Sequence, residues 1–288
     1  GGRKRGGKMI PFDFEYFKPK TIQETTNLFH SLVAEKKTPL YYSGGTEIIT
    51  LGRLNFVYTD AVIDINALPE FHTIRFYENY LVIGAGVSLT KVEEENPFPL
   101  LSKTVSEIAD RTARNKISLG GNICGDIYYR EAVLPLLISD SLVGIAGREG
   151  LLYYPINKVF NREIQIQKGD FLFNILIDRT YVDLPFISMK RRQQWNVGYP
   201  LVTVCALKKD EEVRMAFSGV CPFPFRSVEM EDVFNDKSYS LEDRVRRSLQ
   251  YLPKPILDDV EGSSEYRIYV LQNTILDALH ELEGGQNV

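Results

Sequence analysis

Two short segments hold the residues best able to do chemistry: Tyr42-Ser43-Gly44-Gly45-Thr46-Glu47 and Ser118-Leu119-Gly120-Gly121-Asn122. Each sets two adjacent glycines before a polar side chain. Glycine lacks a Cβ, so it reaches positive φ and lets a ligand approach the backbone closely. Successive N–H groups in such turns form an anion-binding nest. Ser43, Thr46, Ser118 and Asn122 add hydroxyl and amide donors. Two nests facing each other would hold a diphosphate. A single Gly-Gly reads as a tight turn; the pairing points to a ligand, and it specifies an anion rather than a molecule.

Other chemistries find no footing. Gly84-Ala85-Gly86-Val87-Ser88-Leu89 opens like a dinucleotide fingerprint, but Leu89 stands where the third glycine is needed. Neither glycine loop ends in Gly-Lys-Ser/Thr, so no Walker A loop is present, and there is no Gly-x-Ser-x-Gly elbow. Cys124, Cys205 and Cys221 are far apart and odd in number, which gives no disulfide framework, zinc site or cluster spacing. They read as reduced cysteines of a cytoplasmic protein. His30, His72 and His280 have no partner at metal-ligand spacing. With 34 basic and 38 acidic residues the net charge is −4, which argues against a nucleic-acid binder. Apolar runs such as Leu134-Pro135-Leu136-Leu137-Ile138 are too short to span a bilayer. Residues 1–8 read as a flexible basic arm or an added remnant.

The elements that must position the loops are mixed rather than strictly alternating, an α+β pattern. Thr21 and Glu24 have capping-box spacing, and Ile22, Phe29, Leu32 and Val33 share one helical face, so 21–36 is expected to be a helix. A strand over 39–42 runs into the first loop, and a helix is expected from about Thr46. Ala61 to Ile65 reads as a strand. Residues 73–76 and 80–83 form a hairpin around Glu78-Asn79. A short helix follows from Ser88, and a longer one over 99–113 with Leu100, Leu101, Val105, Ile108, Ala109 and Thr112 on one face. Residues 131–138 read as helical despite Pro135. Strands are expected over 142–146, 151–154 and 171–177, with a hairpin over 201–207 and 213–217. Helices are expected over 241–252 and 266–283. Lys190-Arg191-Arg192 reads as a solvated strand end or a phosphate or partner contact. Tyr128-Tyr129 suits the neighbourhood of a planar ring, or an exposed loop.

Beyond these physical readings the motifs resemble a known family. Tyr42 to Glu47 resembles the A-G-G-T-D/E loop of the FAD-binding (medium) subunits of molybdenum hydroxylases, the xanthine dehydrogenase and carbon monoxide dehydrogenase type. Arg114-Asn115-Lys116-Ile117-Ser118-Leu119-Gly120-Gly121-Asn122-Ile123 is similar to their R-N-x-A-T-I-G-G-N-I segment. The likeness continues through Lys190-Arg191-Arg192 and through Phe217-Ser218-Gly219-Val220-Cys221-Pro222, and spans about residues 9–283. It implies a vanillyl-alcohol-oxidase/PCMH-type FAD-binding domain over 9–180, with lobes at about 9–65 and 66–180. A C-terminal α+β domain, a three-stranded sheet with helices, would occupy 181–285.

The resemblance also implies a site. Tyr41, Tyr42, Ser43, Gly44, Gly45, Thr46, Glu47 and Ile48 would wrap the FAD pyrophosphate. Ser118, Gly120, Gly121 and Asn122 would form the opposite wall, and Ile108, Ala109, Ala113 and Ile117 would line the flavin and adenine side. Cys124 and Glu131, the latter where relatives carry aspartate, fall at cofactor-touching positions, and Lys190 corresponds to a family lysine near the flavin. The stretch Cys124-Gly125-Asp126-Ile127-Tyr128-Tyr129-Arg130-Glu131 departs from the family's S-P-x-x-D, and its part from Gly125 to Glu131 resembles a Bacillus-type purine (xanthine) dehydrogenase branch.

The implied function is electron transfer. An iron–sulfur subunit and a molybdopterin subunit would supply electrons, and FAD would pass them to NAD+ or another acceptor. No side-chain nucleophile or general base is needed from this chain for that step. Two alternatives stand beside it: a self-contained flavin reductase or oxidase of the same fold, and a flavin-free assembly module.

Overall fold

The computed structural model describes residues 2–5, 8–11, 14–43, 59–125, 130–192 and 201–284. The chain begins with a hairpin of β1 (Gly2–Arg5) and β2 (Lys8–Pro11), followed by β3 (Glu15–Phe17). Helix α1 (Ile22–Ala34) starts where expected: Thr21 accepts a hydrogen bond from the Glu24 N–H. Glu24 returns a bond to the Lys20 N–H, one residue earlier than a standard capping box. Then come β4 (Pro39–Tyr42) and β5 (Ala61–Asp64). The hairpin of β6 (Ile74–Tyr77) and β7 (Tyr80–Gly84) turns at Glu78, whose φ is +50°.

Helix α2 (Leu89–Glu95) is capped by Ser88. The single helix expected over 99–113 is instead two, α3 (Pro99–Ser106) and α4 (Arg111–Lys116). Ala109 lies at φ +52°, which no continuous right-handed helix tolerates, and Asp110 caps the new start by accepting from the Ala113 N–H. Thr112 is consequently exposed, and α4 buries no residue.

The second double glycine is helical rather than a loop: α5 (Leu119–Cys124) begins at Ser118. In α6 (Val133–Ile138), Pro135 is the third residue, so its missing N–H falls among the donors that a helix start leaves unpaired anyway. Strands β8 (Leu142–Gly147) and β9 (Gly150–Pro155) follow, then the short α7 (Ile156–Val159), β10 (Phe160–Asn161) and β11 (Glu163–Ile164). Next are β12 (Phe171–Asp178), β13 (Phe186–Arg191), β14 (Val202–Lys209), β15 (Glu212–Ser218) and β16 (Phe225–Arg226). The chain closes with α8 (Val228–Phe234), α9 (Leu241–Ser248) and α10 (Ser264–Gly284).

Two compact units result. The first takes in residues 1–97, 106–125 and 141–178, the second 98–105, 126–140 and 179–288. In the first, β3, β5 and β4 form a parallel sheet with β5 central. A five-stranded antiparallel sheet runs β6-β7-β12-β8-β9. Strand β12 carries a bulge at Phe173, whose carbonyl accepts the Ala85 N–H at 2.8 Å.

In the second unit, the β13-β14-β15 meander gains a two-residue fourth strand, β16. The meander's tight turn places Asp210 and Glu211 at φ +51° and +67°. Val204, Met215 and Phe217 on the sheet pack with Leu271, Ile275 and Leu279 of α10 in one apolar core. Each such fully buried side chain stabilises by about 1.5–3 kcal/mol.

A charged cluster adds to this unit. Asp140 accepts from Arg214 at 2.7 Å and from Arg226 at 2.9 Å, and Arg226 also pairs with Glu231 at 2.9 Å. Burial alone would raise the Asp140 carboxyl, but Arg226 and Arg214 outweigh it and hold it below the ordinary carboxylate range. A depressed carboxylate stabilises the fold fully above its unfolded pKa, about 3.9, and loses that contribution as pH falls through the lower folded value. Thermal melts should therefore separate Asp140→Asn from the parent at pH 7, and the gap should close in strong acid. A gap that stays constant down to about pH 2 would contradict this.

Candidate functional site

Strand β4 ends at Tyr42, and Ser43, the last described residue before the first double glycine, stands at its carboxyl end. In open sheets with parallel strands, ligands collect at that end. Gly44, Gly45, Thr46, Glu47 and Ile48 lie outside the described residues, as does the helix expected from Thr46. The residues leading to them divide by role. The Tyr41 side chain belongs to the core: its ring stacks on Phe29 at 4.9 Å and its hydroxyl donates to the Gly169 carbonyl at 2.6 Å. Burial raises the phenol far above its usual pKa, so it stays protonated. Tyr42 is half-buried at the strand end, and its carbonyl accepts the Ile65 N–H. Beside it, Asp64 ends β5 and accepts from the Tyr16 hydroxyl and from Asn66. Burial, then Asp64, push the Tyr16 phenol up to about 12.

Ser43 differs from its neighbours. Its Oγ is buried and has no hydrogen-bond partner among the described residues. A buried hydroxyl without a partner costs roughly 1–3 kcal/mol. Its position at the mouth of the glycine loop fits a ligand oxygen that would accept from it. FAD, whose pyrophosphate presents such oxygens, fits the residues present on this ground.

The second segment is built differently from the expected nest. Ser118 and Ser88 cap α5 and α2 and form an isolated antiparallel bridge with each other. The Leu119 N–H donates to the Val87 carbonyl and the Gly120 N–H to the Ala85 carbonyl, both at 2.8 Å. The Gly121 N–H donates to Ser118 Oγ and the Asn122 N–H to the Ser118 carbonyl. All four donors are already engaged, which corrects the expectation of an open nest at this loop. What Gly120 and Gly121 offer a ligand is their lack of a side chain. The segment 84–87, notable in the sequence only as a failed dinucleotide fingerprint, is what pins this start. Its Gly-Ala-Gly opening is a close-approach device, since a Cβ on Gly86 would meet the Phe71 ring at 2.4 Å.

Around it, Ile108 is buried, Ala113 and Ile117 are half-buried and Ala109 is exposed at its left-handed turn. Arg114 fixes that turn: it donates to the carbonyls of Ile108 and Ala109, at 3.4 and 2.8 Å, and pairs with Glu93 at 3.1 Å. Arg114 stood in the sequence motif, yet its role as a brace depends on contacts the motif does not show. Cys124 is half-buried and in no disulfide.

In the second unit, Glu131 and Lys190 meet each other at 2.9 Å, both almost fully buried. Lys190 is thus no solvated strand end. Strand register sets it beside Thr203 of β14, and α6 begins just after Glu131. Tyr128 and Tyr129 lie outside the described residues. Among the described residues no cluster of His, Cys, Asp and Glu could hold a metal, and no helix is long and apolar enough to cross a membrane.

Comparison with known proteins accounts for this arrangement. The profile of the family described as "FAD binding domain in molybdopterin dehydrogenase" matches residues 12–178, more than half of the chain, and ends with β12. The chain is 25% identical to the nicotinate dehydrogenase FAD-subunit of Eubacterium barkeri, over 96% of this chain and 99% of that one. It is 24% identical to the xanthine dehydrogenase FAD-binding subunit of Escherichia coli O157:H7, over 94% and 96%. Its fold matches a chain of carbon monoxide dehydrogenase from Hydrogenophaga pseudoflava with a TM-score of 0.76 at 20% identity, covering 94% of this chain and 98% of that one. The chain belongs to this family: it is an FAD-binding medium subunit of the molybdenum hydroxylases, of the xanthine dehydrogenase and carbon monoxide dehydrogenase type.

Proposed function

We propose that this subunit receives electrons from an iron–sulfur chain of a hetero-oligomeric complex and delivers them, by way of its FAD, to NAD+ or another soluble acceptor. The molybdopterin and the organic substrate would sit on a third chain, and the complex would be cytoplasmic. FAD supplies the redox chemistry when bound; the protein supplies binding, orientation and exclusion of water. In this reading Ser43, with Gly44, Gly45 and Thr46, holds the pyrophosphate. Gly120 and Gly121 keep a side-chain-free surface against it, with Ser118 and Asn122 beside them. Ile108, Ala109, Ala113 and Ile117 offer the apolar wall. The observation that carries the reading is the buried hydroxyl of Ser43, left without a partner at the start of the glycine loop.

Removing that hydroxyl should have opposite effects on binding and on stability. Ser43→Ala deletes a donor to a charged group, which is worth roughly 1.5–3 kcal/mol, so FAD affinity should fall at least about tenfold. The apoprotein should melt no lower, because an unsatisfied buried group is removed. Titration of apoprotein with FAD by flavin absorbance, beside thermal melts, reads both. Unchanged affinity would remove Ser43 from the site. A parent chain that takes up no FAD would favour a flavin-free assembly module. Oxidation of NADH with a small substrate by the lone chain would favour a self-contained reductase.

A further inference from the structure

The second unit contains a buried ammonium that its surroundings satisfy only in part. Lys208 lies near the end of β14, and its side chain is only 8% exposed. Its Nζ makes one hydrogen bond, to the Leu282 carbonyl at 3.3 Å. It also forms a long ion pair with Glu211 at 3.6 Å, whose side chain is 72% exposed. Leu282 is in the last turn of α10, so part of the role of Lys208 is to cap that helix. A cap uses one of three donors. The other two have no hydrogen-bond partner among the described residues.

Lys208 also lines a cavity of about 550 Å3, well within the range of small-molecule sites. One side of the cavity is apolar: Leu184, Pro185, Phe186 and Ile187. The charged groups on its rim are Asp210, Glu211 and Glu281, all exposed. Asp210 is paired with Lys209 at 3.0 Å. Exposed carboxylates are screened by water and salt, whereas a buried ammonium is screened little. The buried cation, held only by one carbonyl and a long pair with exposed Glu211, therefore decides which ligand is preferred. It calls for an anionic acceptor at Nζ, and the apolar wall calls for a hydrocarbon body next to it.

We propose that this cavity binds a small apolar carboxylate, with its carboxylate on Lys208 and its hydrocarbon part against Leu184, Phe186 and Ile187. Glu211 competes for the same ammonium, so it acts as a tethered rival that an incoming carboxylate displaces. Since every residue belongs to the second unit and none is assigned to the cofactor, the site stands or falls separately from the flavin.

The test titrates 4-fluorobenzoate into the full 288-residue chain and follows its fluorine NMR line. The expected result is saturable broadening. Lys208→Met should weaken binding at least tenfold while near-ultraviolet circular dichroism stays native. Glu211→Gln should tighten it several-fold, which a pure helix cap would not produce. The uncharged 4-fluorobenzamide should bind at least tenfold more weakly than the acid. Absence of saturation, equal binding by the Lys208→Met protein, or equal binding of the amide would each overturn the proposal. If Lys208→Met loses its fold, the Glu211→Gln and amide arms still decide.

Discussion

Gly84→Ala will lower the unfolding midpoint by roughly 5–10 °C, the equivalent of about 3 kcal/mol, and will weaken FAD uptake along with it. A Cβ on Gly84 would stand 2.2 Å from the Phe71 carbonyl oxygen and 2.5 Å from that of Glu70. Both obstacles are backbone, so no rotamer change relieves the clash. The 70–71 turn and the 84–87 segment must part. Those four residues hold α5 in place, because the Ala85 and Val87 carbonyls accept the Gly120 and Leu119 N–H groups. The same movement also breaks the contact between Ala85 and the Phe173 bulge. The strain thus passes from a hairpin end straight to the second glycine segment. Gly284→Ala is the matched control, since nothing lies within 4 Å of a Cβ there. Calorimetry that finds the two variants within about 1 °C of each other would refute the account.

Arg267→Met is expected to cost about 3–5 kcal/mol and to lower the midpoint by about 10 °C or more. Arg267 is fully buried. Its Nη1 donates to the Leu201 carbonyl at 2.9 Å and the Gly219 carbonyl at 2.7 Å, its Nη2 to Asp259 at 2.6 Å, and its Nε to the Gly262 carbonyl at 3.4 Å. Methionine fills much of the volume but leaves two buried carbonyls unpaired. Arg267→Lys should rescue little, because an ammonium cannot reproduce the planar fork that reaches four acceptors. Asp259→Asn should cost less, since Asp259 is 38% exposed and water can replace part of its bond. Chemical denaturation of the three variants provides the ranking, and a lysine variant as stable as the parent would contradict it.

How far the sequence reached follows from the range of each interaction. The cap at Thr21, the helix start at Ser88, the turn at Glu78-Asn79 and the β14-β15 hairpin were legible, because each is decided by groups within a few residues of each other. The split of the expected 99–113 helix was not. Ala109 has no local preference for positive φ; Arg114 holding the carbonyls of 108 and 109, and Glu93 holding Arg114, impose it. Strand β13, and the helices α5 and α8, carried too little periodicity in six or seven residues to be read.

The same division applies to the site. Two double-glycine segments, with Lys190-Arg191-Arg192 and Phe217 to Pro222 in family order, carried the resemblance to FAD-binding subunits from sequence alone. Their physical roles came only with the fold. The Gly120 and Gly121 N–H groups looked like open donors until Ala85 and Ser118 were found accepting from them. Tyr41 looked like part of the loop until its hydroxyl was found on Gly169. Glu131 and Lys190, far apart in sequence, proved to be one buried ion pair. The sequence determines which groups are available and every structure made between near neighbours. Which of those groups remain unsatisfied, and so free to bind something, is a balance over the whole set of distant partners, and only the tertiary structure decides it.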